Sequence, residues 1–300
     1  MHTEVKKTDN FKSGFVAIIG KPNVGKSTLM NKLLHEKISI VTPKPQTTRH
    51  QIKGIFTDDK KQIIFLDTPG FLKPRYKLQE KMMEYISHSL KDCDVIVFIC
   101  DAASFPTDYD HQLLNIIEQV KKPKMALINK IDLVEEETAK QHIEKLNDID
   151  FDEIKAISAS EMNDFDFLID KLTDFLPYAH PFYSEDELSD LPMRFFVQEI
   201  IREQIFLKLY EEVPYCSTVV VEEYKEKDNR IDIEANIWVE KKSQKPILLG
   251  SKGKMIKAIR ESSERELYRI IGKKAYLHLW IKIKPNWRKK DGSLHEFGYR

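Results

Sequence analysis

The chain has 300 residues, 41% hydrophobic and 32% charged, enough for two domains that each bury a core without disulfide or metal staples. Basic and acidic side chains balance at 48 each, but unevenly: residues 1–192 carry 25 basic and 32 acidic, net −7, and residues 193–300 carry 23 and 16, net +7. Three cysteines without a Cys-x-x-Cys pair exclude a disulfide framework, and no apolar run approaches the roughly 20 residues of a membrane span.

The first 14 residues, MHTEVKKTDNFKSG, lack the apolar core of a signal peptide, so a cytoplasmic protein is expected. Short apolar runs then alternate with longer amphipathic ones. Residues 15–20, 62–67, 95–101, 125–129 and 154–158 have strand length and no polar alternation, as strands covered on both faces do. Helical stretches at 27–36, 78–91, 109–120, 136–146 and 165–175 separate them, the pattern of a doubly wound α/β sheet. Residues 51–57 run almost directly into 62–67, which predicts a hairpin and one antiparallel strand in a mostly parallel sheet.

Motifs sit at the ends of these strands. Gly20-Lys21-Pro22-Asn23-Val24-Gly25-Lys26-Ser27 fits G-x-x-x-x-G-K-[ST] between a strand and a helix. Its glycines let backbone N–H groups turn toward phosphate oxygens, Lys26 reaches the β- and γ-phosphates, and the Ser27 hydroxyl serves Mg²⁺. In Pro45-Gln46-Thr47-Thr48-Arg49 one threonine, Thr48 before Thr47, is expected to close over Mg²⁺ when GTP is bound. Asp67-Thr68-Pro69-Gly70 offers a carboxylate to Mg²⁺ and the Gly70 N–H to the γ-phosphate. Phe71 follows, where a glutamine often orients the attacking water, so intrinsic hydrolysis is expected to be slow and helped from elsewhere. Potassium is one candidate helper, and Asn23 is the residue that tests it.

Asn129-Lys130-Ile131-Asp132 selects the base: the Asp132 carboxylate accepts N1–H and N2–H of guanine, and adenine offers neither. Asn129 is expected at the O6/N7 side, the Lys130 stem over the ring, and a backbone N–H of Ser158-Ala159-Ser160 near O6.

Residues 177–192 hold three prolines and the acids Glu185, Asp186, Glu187 and Asp190, and read as a linker. Beyond it come a helix at 194–212, strands at 216–224 and 230–240 around Asp228–Asn229, helices near 255–259 and 262–271, and a strand at 275–284. Residues 241–290 carry 16 basic against 3 acidic side chains, net +13. Inside that segment Gly250-Ser251-Lys252-Gly253 precedes a helix bearing Lys254, Lys257 and Arg260. A Gly-x-x-Gly loop beside an apolar groove is how KH modules clamp single-stranded RNA, and the α-β-β-α-α-β order fits the prokaryotic variant. Tyr276, His278 and Trp280 share one face of the last strand and stand either as stacking platforms or, for Trp280 above all, as core.

With GKPNVGKST, PQTTRH, DTPG, NKID, LLGSKGKMIK and LHLWIKIKPNW in this order, residues 14–300 resemble the Era family of bacterial GTPases. The resemblance implies a Ras-like P-loop GTPase domain (1–178), a linker (179–192) and an α+β type II KH domain (193–300). It implies binding of GTP or GDP with Mg²⁺, and of the 3′ end of small-subunit (16S) ribosomal RNA during 30S subunit assembly. Peripheral association with the inner face of the cell membrane is implied as well; a monomer is the default. Motif by motif, residues 20–27 with Thr28, Thr47, Thr48, Asp67–Gly70, Asn129, Lys130, Asp132 and 158–160 take the nucleotide. Ser27, Thr48 and Asp67 take Mg²⁺; Asn23, Lys26, Thr48 and Gly70 act in catalysis; and 250–253 take RNA, with Lys254, Lys257 and Arg260 from the basic helix. Two other readings share these motifs: a GTPase switch docking its basic half on anionic membrane or a protein, and a plain hydrolase with a structural second domain.

Overall fold

The computed structural model describes residues 10–162 and 164–299; most of the amino-terminal stretch read above for a signal peptide lies outside them. Two compact units emerge. The first holds the chain up to Ser39, Thr48–Lys73 and Met82–Asp190; the second holds Ile40–Thr47, Pro74–Lys81 and the chain from Leu191 onward.

In the first unit β1 (Lys12–Ile19), β2 (Ile52–Thr57), β3 (Lys61–Asp67), β4 (Val95–Asp101), β5 (Lys124–Asn129) and β6 (Glu153–Ala156) form one sheet, ordered β2-β3-β1-β4-β5-β6. Every pairing is parallel except β2 with β3, the hairpin anticipated from sequence. Helices α1 (Lys26–Leu34), α2 (Lys77–Asp92), α3 (Asp108–Glu118), α4 (Glu136–Asn147) and α5 (Asp166–Phe175) separate the strands. Ala17, Ile64 and Phe98 share a core with Ile86 of α2 and Leu113 and Ile117 of α3. Their neighbours Val16, Ile18, Ile63 and Phe65 are fully buried as well, so both sheet faces are covered and the strand sequences do not alternate.

The proline- and acid-rich stretch after α5 is laid along the exposed flank of this sheet. The Gln62 side chain accepts from the N–H groups of Phe182 (2.7 Å) and Tyr183 (3.0 Å) and donates to the Tyr183 carbonyl (2.9 Å). The Ile55 N–H donates to the Leu188 carbonyl at 2.9 Å, and Lys53 pairs with Asp190 at 2.6 Å. This strap caps the outer edge of β2, whose free N–H groups would otherwise invite strand addition.

The second unit comprises α6 (Met193–Lys208), the single turn α7 (Val213–Cys216), β7 (Thr218–Glu226), β8 (Arg230–Val239), α8 (Gln244–Leu249), α9 (Lys254–Ile271), β9 (Lys274–Ile283) and α10 (Asp291–Glu296). Its sheet runs β7-β8-β9, antiparallel then parallel. The inward face of β8, from Ile231 to Val239, buries against Val197, Ile201 and Ile205 of α6 and Ile259 and Leu267 of α9.

Two expectations are corrected here. The helices expected at 255–259 and 262–271 are one continuous helix of 18 residues. The polar Glu261-Ser262-Ser263 step does not break it, because Ser263 is buried and its hydroxyl donates back to the Ile259 carbonyl at 2.9 Å. The helix before the glycine loop is instead α8, which the sequence shows only as a short apolar run. Trp280, for which a core place was the alternative, is 61% exposed; the buried tryptophan is Trp287, at 0%. Among the described residues no helix is long and apolar enough to cross a membrane.

Candidate functional site

Because β1, β3, β5 and β6 run parallel, the loops that follow them gather at one edge of the first sheet, where open α/β sheets bind ligands. The loop after β1 closes around its own lysine: Lys26 Nζ donates to the carbonyls of Gly20 (3.1 Å) and Lys21 (2.7 Å). Burial pushes the Lys26 ammonium down from 10.5 to about 8, partly opposed by the Asp67 carboxylate. An anionic phosphate would supply the countercharge this lysine lacks. Gly25 stands at φ +104°, and a Cβ there would come within 2.2 Å of the Asn129 amide nitrogen, so only glycine fits. Asn23 is exposed in left-handed backbone at φ 63°.

Beside this loop lies a cluster of hard oxygen donors. Ser27 Oγ donates to Asp67 Oδ2 at 2.7 Å and lies 2.9 Å from Thr48 Oγ1; Ser39 Oγ donates to the same Oδ2 at 2.9 Å. Asp67 Oδ1 is buried without a hydrogen-bond partner, and burial raises the carboxyl pKa against the pull of Ser27, Lys26 and Ser39. Two hydroxyls around a buried carboxylate with an orphan oxygen fit a Mg²⁺ ion, which would satisfy that oxygen and hold the carboxylate ionised. Thr48 is the threonine brought to this cluster. Thr47 turns to its own loop, bonded to Thr42 Oγ1 (2.6 Å) and to the Lys44 carbonyl (2.7 Å).

The loop after β3 rests on the phosphate loop. Thr68 Oγ1 donates to the Ile18 carbonyl (2.7 Å), and the Phe71 N–H donates to the Gly20 carbonyl (3.0 Å). A Cβ on Gly70 would lie 2.4 Å from the Pro22 nitrogen, so the approach demands glycine. The Phe71 ring packs on the first unit's core and has no group with which to orient water.

Asn129 is 2% exposed and ties two loops together: its Nδ2 donates to the Val24 carbonyl (2.7 Å) and its Oδ1 accepts from the Ala159 N–H (2.8 Å). The amide expected at the O6/N7 side of guanine also braces the phosphate loop against the 158–160 loop. Lys130, at φ 65°, pairs with Asp101 at 2.6 Å, which fixes its stem. Asp132 is exposed in the helical turn Ile131–Leu133. Ser158 is buried and Ser160 exposed.

One residue counted above with the nucleotide loop, Lys21, has side-chain partners elsewhere. Its ammonium leaves the loop for Asp110 Oδ2 (2.7 Å) and Thr107 Oγ1 (3.0 Å), the two residues of the capping box that opens α3. The capping box, though not the lysine's turn toward it, was legible as Thr-x-x-Asp ahead of an apolar run.

In the second unit Gly250 (φ +68°), Lys252 (φ +51°) and Gly253 (φ +77°) make a tight left-handed loop between α8 and α9. Nothing lies within 4 Å of a Cβ built on Gly253, so the backbone there is open to approach. Ser251, Lys252, Lys254 and Lys257 are exposed, and Arg260 is half-buried. A cleft of about 690 Å³ runs beside them, lined by Leu249, Ile256, Lys257 and Arg260 and by β9 from Tyr276 to Ile281. Among the described residues β9 pairs with β8 alone, and the cleft beside it has an apolar floor with a basic rim.

Comparison with known proteins matches residues 15–130 to the 50S ribosome-binding GTPase family and residues 212–288 to the KH domain family. GTPase Era of Halothermothrix orenii is 42% identical over 97% of this chain and 99% of its own length. The chain belongs to the Era family of GTPases. Era of Ruminiclostridium cellulolyticum is 39% identical over 97% of this chain and 98% of its own. Two solved Era structures, each 38% identical, cover 96% of this chain and 99% of themselves. One, at TM-score 0.93, is a complex with MgGDPNP and nucleotides 1506–1542 of 16S ribosomal RNA. The other, at 0.92, is a single-substitution variant of Aquifex aeolicus Era bound to GDP·AlF4⁻.

Proposed function

We propose that this chain binds and hydrolyses GTP with Mg²⁺ and, through its basic domain, binds the 3′ end of 16S ribosomal RNA to assist assembly and maturation of the small subunit. The observation that carries the reading is the buried Asp67 carboxylate, with one orphan oxygen and the other bonded to Ser27, which in turn meets Thr48, on a chain that also holds an open Gly-x-x-Gly loop beside a basic-rimmed cleft. The Era relative bound to Mg²⁺, a GTP analogue and rRNA supports it. The domains assigned are residues 1–178 for GTP, 179–192 as connector and 193–300 for RNA.

Mg²⁺, when bound, would offset the negative charge that develops on the phosphates during transfer. Ser27, Thr48 and Asp67 hold it. Lys26 faces the phosphates, the Gly70 N–H meets the γ-phosphate, and the Asp132 carboxylate accepts the two guanine N–H groups. Asn129 keeps the phosphate loop and the 158–160 loop in register. Phe71 leaves hydrolysis slow, and a potassium ion near Asn23 supplies help. Turnover that is equal in potassium and sodium and unchanged in Asn23→Ala removes that last assignment. The protein acts in the cytoplasm as a monomer, with peripheral contact to the inner membrane face through its basic residues.

The test is affinity for a short single strand from the 16S 3′ end against a scrambled strand, at fixed salt, with a GTP analogue, with GDP and without nucleotide. Tighter binding of the authentic strand that changes with nucleotide supports the proposal. Equal, salt-sensitive binding of both strands, with binding to anionic vesicles, replaces it with the membrane-docking reading.

A further inference from the structure

Beyond the groove beside the glycine loop, α9 borders a second cleft of about 740 Å³, which shares Arg260, Glu264 and Tyr276 with the first. Its own walls are Arg265, Tyr268 and Arg269 of α9 and Lys274 at the start of β9. Positions 257, 260, 261, 264, 265, 268 and 269 recur at steps of three and four, so they form one continuous stripe on α9. At 1.5 Å per residue, the stripe extends roughly 16 Å from Lys257 to Tyr268. A KH loop clamps about four nucleotides, so a longer strand leaving the groove along this stripe enters the second cleft.

The chemistry there suits a polyanion with flat bases. Arg260, Arg265, Arg269 and Lys274 stand against Glu261 and Glu264, and Arg265, Arg269 and Lys274 are exposed. Tyr268 is 54% exposed, an aromatic ring on a charged helix with no core to fill. Tyr276, on the boundary of both clefts, already lies under the Arg230 guanidinium at 5.6 Å, which leaves Tyr268 as the open stacking platform. An exposed aromatic flanked by arginines is a recurring way to hold single-stranded nucleic acid without reading its sequence.

We propose that this cleft is a second RNA subsite, which takes the continuation of the single strand held at Gly250–Gly253 by stacking a base on Tyr268 and pairing phosphates with Arg265, Arg269 and Lys274. The inference rests on the RNA-binding role proposed above and extends its footprint to residues that role does not use.

The test compares three single strands on the full-length protein at fixed salt: a five-nucleotide core from the 16S 3′ end, and that core lengthened by four nucleotides at one end or the other. One extension, and only one, is expected to tighten binding roughly tenfold. Tyr268→Ala and the double variant Arg265→Gln/Arg269→Gln should each erase that gain while leaving five-nucleotide affinity unchanged. Tyr268→Phe should keep it, because the ring and not the hydroxyl stacks. Unchanged core affinity also shows that the variants remain folded. No gain from either extension, or a gain that survives Tyr268→Ala, overturns the subsite while leaving the Gly-loop role intact. Failure of the core strand to bind defeats both and locates the fault in the RNA-binding role.

Discussion

The Asn129 amide shows how one side chain can shape a binding site through the loops it holds. It is buried, and both its ends hold backbone groups of separate loops, at Val24 and at Ala159. Asn129→Ala leaves a buried carbonyl and a buried N–H unpaired, at a cost of about 1–3 kcal/mol each. Nucleotide affinity should drop at least tenfold, for GDP as much as for GTP, since the γ-phosphate is not involved; titration calorimetry with both nucleotides checks this. Asp132, exposed in its turn, predicts a different outcome. Asp132→Asn should leave thermal stability within about 0.5 kcal/mol of the parent, as surface substitutions do. It should shift preference from guanosine toward xanthosine nucleotides, because an amide can donate to the xanthine C2 oxygen where the carboxylate accepted from N2–H. Retained preference for GTP in a competition assay would remove Asp132 from base recognition.

At the scale of elements, Trp280 and Trp287, two of the three tryptophans of the basic half, separate surface from core. Trp287 is fully buried, donates its Nε1–H to the Cys216 carbonyl at 2.8 Å and stacks on Tyr299 with centroids 5.9 Å apart. Trp287→Ala should therefore cost about 3–5 kcal/mol, read as a lowered denaturation midpoint. Trp280 stands on the outward row of β9 with Tyr276 and His278, so Trp280→Ala should leave that midpoint unmoved and weaken RNA binding instead. The strict alternation of β9 was legible in the sequence, and so was the α/β order of the first half, because both follow from local periodicity. The motif loops were legible for the same reason: a phosphate loop is a short segment with glycines at fixed spacing between a strand and a helix. What escaped reading depends on contacts remote in sequence. Nothing local says that Ser263 is buried and keeps α9 whole, that Trp287 and not Trp280 fills the core, or that Lys21 turns away to Asp110. Nor does local sequence tell that residues 40–47 and 74–81, embedded in the first half, group with the second unit.

For the molecule as a whole, the two units have separate cores, and the cysteines report on them independently. The cluster containing Cys93 and Cys100 draws only on first-unit residues, and the cluster of α6, α9 and β7 to β9 only on second-unit residues, the unit in which Cys216 is buried. Thiolates are the reactive form, and burial suppresses them: the Cys93 thiol is pushed up from 9.0 to about 11, and Cys100 is raised further by burial and by Asp110. The sign for stability follows. The folded state keeps the Cys93 proton between pH 9 and about 11 while the unfolded chain has lost it, so stability of the first unit declines as pH rises through that window. At pH 8, alkylation of the native protein should be slow at all three thiols. Across a urea series, Cys93 and Cys100 should become reactive together at one midpoint and Cys216 at another. GDP with Mg²⁺ at a hundred times its Kd should raise the first midpoint by the equivalent of about 2.7 kcal/mol and leave the second in place. Mass spectrometry of the labelled peptides distinguishes the three sites. A single shared midpoint that moves with nucleotide at all three cysteines would instead show that the two cores unfold as one cooperative body.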